Sequence, residues 1–133
     1  MDESEARRLI REHFESAMVD EERSAAIYAD DAVIEFPQSG ERIRGRKNIV
    51  AFRSAYPARV RFEMYRTIGS GNLWVNEYTV RYIGDEPRYV AGIMEFRDGR
   101  VVRERLYVAE AWEAPAWRAQ WVEPIPPEPH PWP

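Results

Sequence analysis

The feature that most constrains the fold is a change of hydrophobic period at Val60. Before Val60 the apolar residues recur at helical spacing, and from Val60 onward they alternate with polar residues in successive runs. Short turn signals separate these runs, and Asp98-Gly99 is typical of a tight hairpin. The pattern predicts an antiparallel meander after a helical half, and therefore an α+β domain. The predicted strands begin at Val60, Leu73, Tyr89 and Val101, with turns at 69–72 and 84–87.

The helical half contains three predicted helices. Asp2 and Glu5 fit a capping box at the start of the first, whose apolar stripe runs as far as Met18. A short second helix is predicted from Ser24 to Tyr28, with Asp30-Asp31 as a turn behind it. A strand from Ala32 to Phe36 and a brief strand at 42–44 come next, and the third helix opens at Gly45 and stops before Pro57.

Length and composition indicate one globular domain. A chain of 133 residues can bury a proper core, and 44% of its residues are hydrophobic. We assign residues 1–122 to a single domain, with a short helix within 111–122, and residues 123–133 to a Pro-rich, extended tail.

Several classes of function are disfavoured by composition. The net charge of −4, without a block of basic residues, argues against nucleic acid as a partner. The chain has no cysteine, no histidine cluster with metal-ligand spacing and no Gly-rich phosphate loop, so neither a metal nor another cofactor is predicted. It also shows no signal sequence or membrane-spanning run, and we expect a cytoplasmic protein that does not bind membranes.

Three motifs resemble one family. They are I-Y-A-D-D-A-V-I-E-F-P from Ile27, R-I-R-G-R-K-N-I from Arg42 and G-I-M-E-F-R-D-G-R-V-V-R-E-R-L-Y from Gly92. Together they resemble the SnoaL-like proteins of the NTF2-like superfamily, which are related to ketosteroid isomerases, polyketide cyclases and limonene-epoxide hydrolases. The resemblance implies an NTF2-like (cystatin-like) cone. In that fold the N-terminal helices pack in the concave face of a strongly curved, mostly antiparallel sheet, and an apolar cavity opens at one end.

The other face of such a sheet also carries apolar residues here, interleaved with charged ones such as Glu77 and Arg103. Homodimerisation through this outer face is the simplest explanation, and the alternative is that the C-terminal tryptophans of the same chain cover it. The apolar residues assigned to the outer face are Tyr65, Leu73, Val75, Ile83, Ile93, Val101 and Tyr107.

The catalytic groups of the related enzymes have no counterparts in this sequence. The resemblance places Phe14, Phe36 and Met94 where ketosteroid isomerases carry a tyrosine and two acids, and these side chains supply neither base nor donor. It places Leu106 at an aspartate of the epoxide hydrolases, with Asn76 and Tyr78 on the strand that carries their other groups. A slip of one residue in strand register would instead bring Glu77 or Glu95 inward.

Glu104 is the first candidate base, because it shares the inward parity of Leu106, and a surface ion pair with its neighbours Arg103 and Arg105 is the alternative. His13 is the second candidate, with a satisfied core histidine as the alternative. Tyr78 and Asn76 are candidate donors that would orient the ligand, whereas Tyr28, Asp30 and Asp31 are interpreted as structural. The residues predicted to line a ligand pocket are Phe14, Phe36, Phe52, Tyr56, Trp74, Asn76, Met94, Phe96 and Leu106.

Two hypotheses of function remain open. In the first, the cone holds a small apolar or aromatic molecule and acts on it by cofactor-free acid-base chemistry of the isomerase, cyclase or hydrolase type. In the second, the protein is a non-catalytic, dimeric binding or assembly module whose pocket is filled by side chains.

Overall fold

The computed structural model describes residues 1–56, 59–82 and 86–127. The predicted stop at Pro57, the first half of the predicted turn at 84–87, Ile83 and the second half of the Pro-rich tail lie outside these residues. Three α-helices, two 3-10 helices and six strands are present in the described ranges. The helices are α1 (Glu3–Ser16), α2 (Glu21–Ser24) and α3 (Arg46–Ser54), with 3-10 helices at Ala25–Ile27 and Ala116–Trp121. The strands are β1 (Tyr28–Phe36), β2 (Glu41–Arg44), β3 (Val60–Ser70), β4 (Leu73–Tyr82), β5 (Pro87–Arg97) and β6 (Arg100–Glu110).

Helix α1 begins as its sequence predicts. The Asp2 carboxylate accepts a hydrogen bond from the Glu5 amide at 3.2 Å, and the apolar stripe of the helix is buried. The helix ends two residues earlier than expected, because Met18 adopts a left-handed backbone conformation with φ of 67°. The amides of Val19 and Asp20 then bond to the Ser16 carbonyl, at 3.0 and 2.8 Å.

The six strands form one sheet in the order β2-β1-β6-β5-β4-β3. The predicted meander is confirmed, since β3, β4, β5 and β6 pair with their sequence neighbours in antiparallel fashion. Strand β1 joins the meander by parallel pairing with β6, which places the N-terminal half of the chain beside its last strand. Helices on one side of a mostly antiparallel, open sheet confirm the predicted α+β, NTF2-like fold.

The second helix and the strand after it begin earlier than predicted. Helix α2 starts at Glu21 behind an Asp20 cap, and Tyr28 to Asp31 belong to β1 rather than to a helix end and a turn. Tyr28 pairs with Val101 of β6 and is 1% exposed. Burial of the large ring and strand pairing therefore override the turn preference of the two aspartates.

Two β-bulges within the meander change which face a residue occupies. The pairing of β3 with β4 shifts between Met64 and Arg66, and the pairing of β6 with β5 shifts around Val102. Val101 pairs with Phe96 and is fully buried, so its predicted place on the outer face is wrong. The extra residue in β6 reverses the alternation, and Val101 and Glu104 both face inward although they are three positions apart.

The C-terminal segment carries a short helix where one was predicted, directly after Pro115. Its tryptophans do not cover the sheet: Trp112, Trp117 and Trp121 are 77%, 74% and 71% exposed. Ile125 and Pro126, farther along, line a groove on the outer face of the sheet. In the described residues no helix has the length and apolar character that a membrane crossing requires.

Candidate functional site

A cavity of about 200 Å³ lies between the inner face of the sheet and the helical half of the chain. Its walls come from the loop after α1, from α2 and α3, and from the ends of β1 and of the meander strands. Most of the lining is apolar, as is typical of a ligand pocket. The aromatic residues of the lining are Phe36, Phe52, Tyr56, Phe62 and Tyr78.

Five of the residues predicted for the site meet at this cavity: Phe36, Phe52, Tyr56, Tyr78 and Leu106. They come from four separate elements and from the chain just after α3. The rings of Phe36 and Phe52 meet edge to face with centroids 6.0 Å apart, and Phe52 is 36% exposed at the rim.

Glu104 lies beside this cavity and is 1% exposed. The Tyr28 hydroxyl donates a hydrogen bond to its Oε1, and this contact joins β1 to β6. In the described part of the chain Oε2 accepts no hydrogen bond. Glu104 therefore presents one held oxygen and one oxygen with a free lone pair, which is the arrangement a general base requires.

The free oxygen lies near two lining side chains, at the backbone of Gly92. A Cβ atom built on Gly92 would lie 3.7 Å from Oε2 of Glu104, 3.8 Å from Cε1 of Tyr78 and 3.1 Å from Cδ2 of Leu106. Glu104, Tyr78 and Leu106 thus all lie close to the backbone of Gly92. Because Gly92 has no side chain, the space among these three groups stays open.

The two buried phenols near Glu104 are held in their protonated form. Burial, reinforced by the Glu104 carboxylate, raises the pKa of Tyr28 well above its ordinary value. The same two causes raise the pKa of Tyr78. Both hydroxyls are therefore hydrogen-bond donors near neutral pH, Tyr28 toward Glu104 and Tyr78 at the cavity wall.

His13 is buried and satisfied within the core. Its Nδ1 lies 2.7 Å from the Ser24 carbonyl oxygen, and the Ser24 hydroxyl donates to the His13 carbonyl at 2.9 Å. Burial lowers the pKa of the imidazole, against the attraction of Glu104, so the ring is neutral near pH 7 and donates from Nδ1. Its ring packs edge to face on Phe14 and Tyr28 and does not line the cavity.

The structure places the remaining predicted pocket residues deeper in the core. Asn76 accepts a hydrogen bond from Thr67 at 2.8 Å and donates to the Met94 sulfur at 3.4 Å. The Trp74 indole donates to the Gly71 carbonyl at 2.9 Å. The residues that pack here and do not line the 200 Å³ cavity are Phe14, Trp74, Asn76, Met94 and Phe96.

The alternative reading of Glu104 as a surface ion pair is wrong. Arg103 and Arg105 instead bind Glu35, at 2.7 and 3.1 Å, on the outer face of the sheet. Glu77 and Glu95, which a register slip would have turned inward, are 47% and 46% exposed.

Sequence reasoning missed two residues of the site, Tyr28 and Arg53. The sequence pattern places Tyr28 at a helix end, and extending the strand pattern of β1 backward would identify it. Arg53, in the last turn of α3, lines the cavity although no sequence signal separates it from a solvated helix residue. No group of acidic or histidine side chains suited to a metal ion is present in the described ranges.

The SnoaL-like domain family matches residues 6–104 of the chain. An NTF2-like protein of unknown function from Burkholderia xenovorans LB400 is 45% identical, with a TM-score of 0.84 over 93% of this chain and 98% of its own. A candidate ketosteroid isomerase from Kribbella flavida DSM 17836 is 31% identical, with a TM-score of 0.84 over 94% and 93% of the two chains.

A LEH-like epoxide hydrolase from M. tuberculosis is 28% identical, with a TM-score of 0.67 over 79% of this chain and 83% of its own. No curated protein matches. The matched domain spans most of the chain and includes Tyr28, Arg53, Tyr78 and Glu104. By this match and the 45% identity to a protein of the same fold, the chain belongs to the SnoaL-like family of the NTF2-like superfamily.

Proposed function

We propose that this protein binds a small, mostly apolar molecule in the 200 Å³ cavity and moves a proton on it with Glu104 as the base. The observation that carries the proposal is the buried Glu104 carboxylate, with one oxygen held by Tyr28 and the other near two residues of the cavity wall. A cavity of about 150 Å³ accommodates a benzene-sized molecule, so the ligand has about one ring.

Each polar group has a separate role in this chemistry. Glu104 accepts a proton from carbon through Oε2, and Tyr28 orients the carboxylate through Oε1. Tyr78, protonated at the cavity wall, donates to the ligand oxygen on which negative charge develops. The resulting reaction is an isomerisation or related acid-base step, the type indicated by the names of the isomerase and hydrolase relatives.

The test is hydrogen exchange of a single-ring ketone. Cyclohexanone in D₂O should lose its α-protons faster with the protein than in buffer, as followed by proton NMR. Glu104→Gln should remove about a hundredfold or more of that acceleration, because the amide cannot act as base. Glu77→Gln is the matched control, since Glu77 lies exposed on the outer face beside Arg66.

Binding separates this proposal from a filled, non-catalytic pocket. Cyclohexanone should raise the melting temperature of the wild type, and Val80→Phe, which fills part of the cavity, should abolish the rise. Acceleration unchanged in Glu104→Gln would show that Glu104 is not the base. A melting temperature that no ring compound changes would favour the non-catalytic alternative.

A second candidate function, a dimeric binding or assembly module, draws support from the outer face of the sheet. Leu73, Tyr89 and Tyr107 are 52%, 51% and 41% exposed there. Charges of both signs, such as Arg66 and Glu77, lie among them, so the face can complement itself about a two-fold axis. We propose that a second copy of the chain covers it, which is compatible with chemistry in the cavity.

A further inference from the structure

Arg53 occupies an unusual position in the cavity wall. Its Nε atom is enclosed by protein and forms no hydrogen bond with any described residue. The guanidinium carbon lies 5.8 Å from the centroid of the Phe52 ring, which also lines the cavity. A charged group thus lies in a mostly apolar wall, with no acceptor for its Nε among the described residues.

An enclosed donor without a partner is costly, and buried polar groups in native proteins nearly always have one. Burial opposes the charge of Arg53, but its interactions with Tyr28, Glu104 and Tyr78 outweigh this effect and raise its pKa. Arg53 therefore stays charged at any physiological pH, and a ligand in the cavity can offer an acceptor to its terminal nitrogens, which, unlike Nε, are not enclosed without a partner.

The other charged groups of the wall are already engaged. The Glu21 carboxylate accepts from the Met18 amide at 2.7 Å, and Arg88 lies 3.7 Å from Glu110. Arg53 and Arg88 are the cations of the lining, and Glu21 together with Glu104 beside the cavity balances their charge. A preference for an anionic ligand therefore depends on Arg53 alone, because a charge-assisted hydrogen bond to its guanidinium is stronger than one to a neutral acceptor.

We propose that the ligand of this cavity is a single-ring carboxylate whose ring packs on the aromatic wall and whose carboxylate accepts a hydrogen bond from Arg53. The inference rests on the proposed function, because it concerns the same cavity. Arg53 is then the residue that decides which small ring compounds are bound, whereas Glu104 decides what happens to them.

The experiment uses benzoate and its neutral isostere benzamide, titrated into the full chain by calorimetry. Benzoate should bind the wild type about tenfold to a hundredfold more tightly than benzamide, the usual value of a charged hydrogen bond. Arg53→Met should lose this preference while still binding benzamide. Lys47→Met is the matched control: it removes a positive charge from the same helix at an exposed position and should leave the preference intact.

The possible failures are distinguishable. If the wild type binds both compounds equally, or if the preference survives in Arg53→Met, the inference is overturned and the apolar cavity remains a binding site. If none of benzoate, benzamide and toluene binds the wild type, the proposed function falls with it. Arg53→Gln, which keeps an amide donor without charge, gives the same comparison if Arg53→Met does not fold.

Discussion

His13 makes folding sensitive to pH. Its imidazole is buried, and burial lowers its pKa despite the attraction of Glu104. In the unfolded chain His13 takes up a proton below about pH 6.5, which the folded chain resists. The protein therefore keeps its full free energy of unfolding, as far as His13 is concerned, above about pH 6.5. This free energy falls as the pH drops toward the lower pKa that His13 has in the folded state. We expect a slope of up to about 1.4 kcal/mol per pH unit there, measured by urea denaturation.

His13→Phe provides the comparison, because it keeps an aromatic ring and removes the titration. It should be less stable than the wild type at neutral pH, since the Ser24 carbonyl loses its donor, and its stability should change little between about pH 7.5 and about pH 5.5. Glu35, whose pKa is lowered by Arg42 and Arg103, changes the free energy of unfolding only at more acidic pH. If the free energy of unfolding changed equally with pH in the wild type and in His13→Phe, a group other than His13 would dominate the pH dependence.

The inward direction of Glu104 could be predicted from its parity with Leu106, but its partner could not. Neighbouring residues on a strand point to opposite faces, so Arg103 and Arg105 were unsuitable partners for an inward carboxylate. The actual partner, Tyr28, is 76 residues away in sequence and meets Glu104 through the parallel pairing of β1 and β6. Hydrophobic periodicity carries no information on such long-range pairing.

Among the elements, the strands of the meander were predictable, but their bulges were not. Alternation specifies faces only while pairing is regular, and the extra residue near Val102 reverses it between Val101 and Glu104. The start of β1 was missed for a related reason. Asp30 and Asp31 favour a turn locally, whereas burial of Tyr28 against β6 determines the outcome.

Glu35 links three neighbouring strands. Its side chain, 12% exposed, binds Arg42 of β2 at 2.9 Å and Arg103 and Arg105 of β6 at 2.7 and 3.1 Å. We expect Glu35→Gln to lower the free energy of unfolding by about 1 kcal/mol, because three arginines then face one another without a carboxylate. The arginines are partly exposed and screened, which limits the effect. Urea denaturation at low salt should show it, with a smaller loss at high salt.

Glu77→Gln is the appropriate comparison on the same face of the sheet. Its one arginine partner, Arg66, lies 2.8 Å away, and both side chains are about half exposed. The expected change is within about 0.5 kcal/mol. Equal losses in the two variants would mean that Glu35 is no more than an ordinary surface ion pair.

At the scale of the whole molecule, the hydrophobic pattern, the turn residues and the segment lengths all indicate the same fold, a helical half followed by a strand meander. This agreement is why the fold could be predicted from sequence. The use of the two sheet faces was harder to predict. The inner face holds both the core and the cavity, and the 200 Å³ that remains empty depends on how side chains such as Arg53 and Phe52 pack. The outer face keeps large apolar residues exposed, and the three C-terminal tryptophans leave them so.

This exposure leads to a prediction about assembly. If a second copy covers the outer face, the protein should sediment as a dimer at micromolar concentration, and its melting temperature should rise with protein concentration. Tyr107→Glu places a charge in the exposed apolar area and should shift sedimentation to the monomer. Val19→Glu is the control, because Val19 is 81% exposed in the loop after α1, away from the sheet face. A wild type that stays monomeric, or a dimer that both variants weaken alike, would exclude this face as the interface.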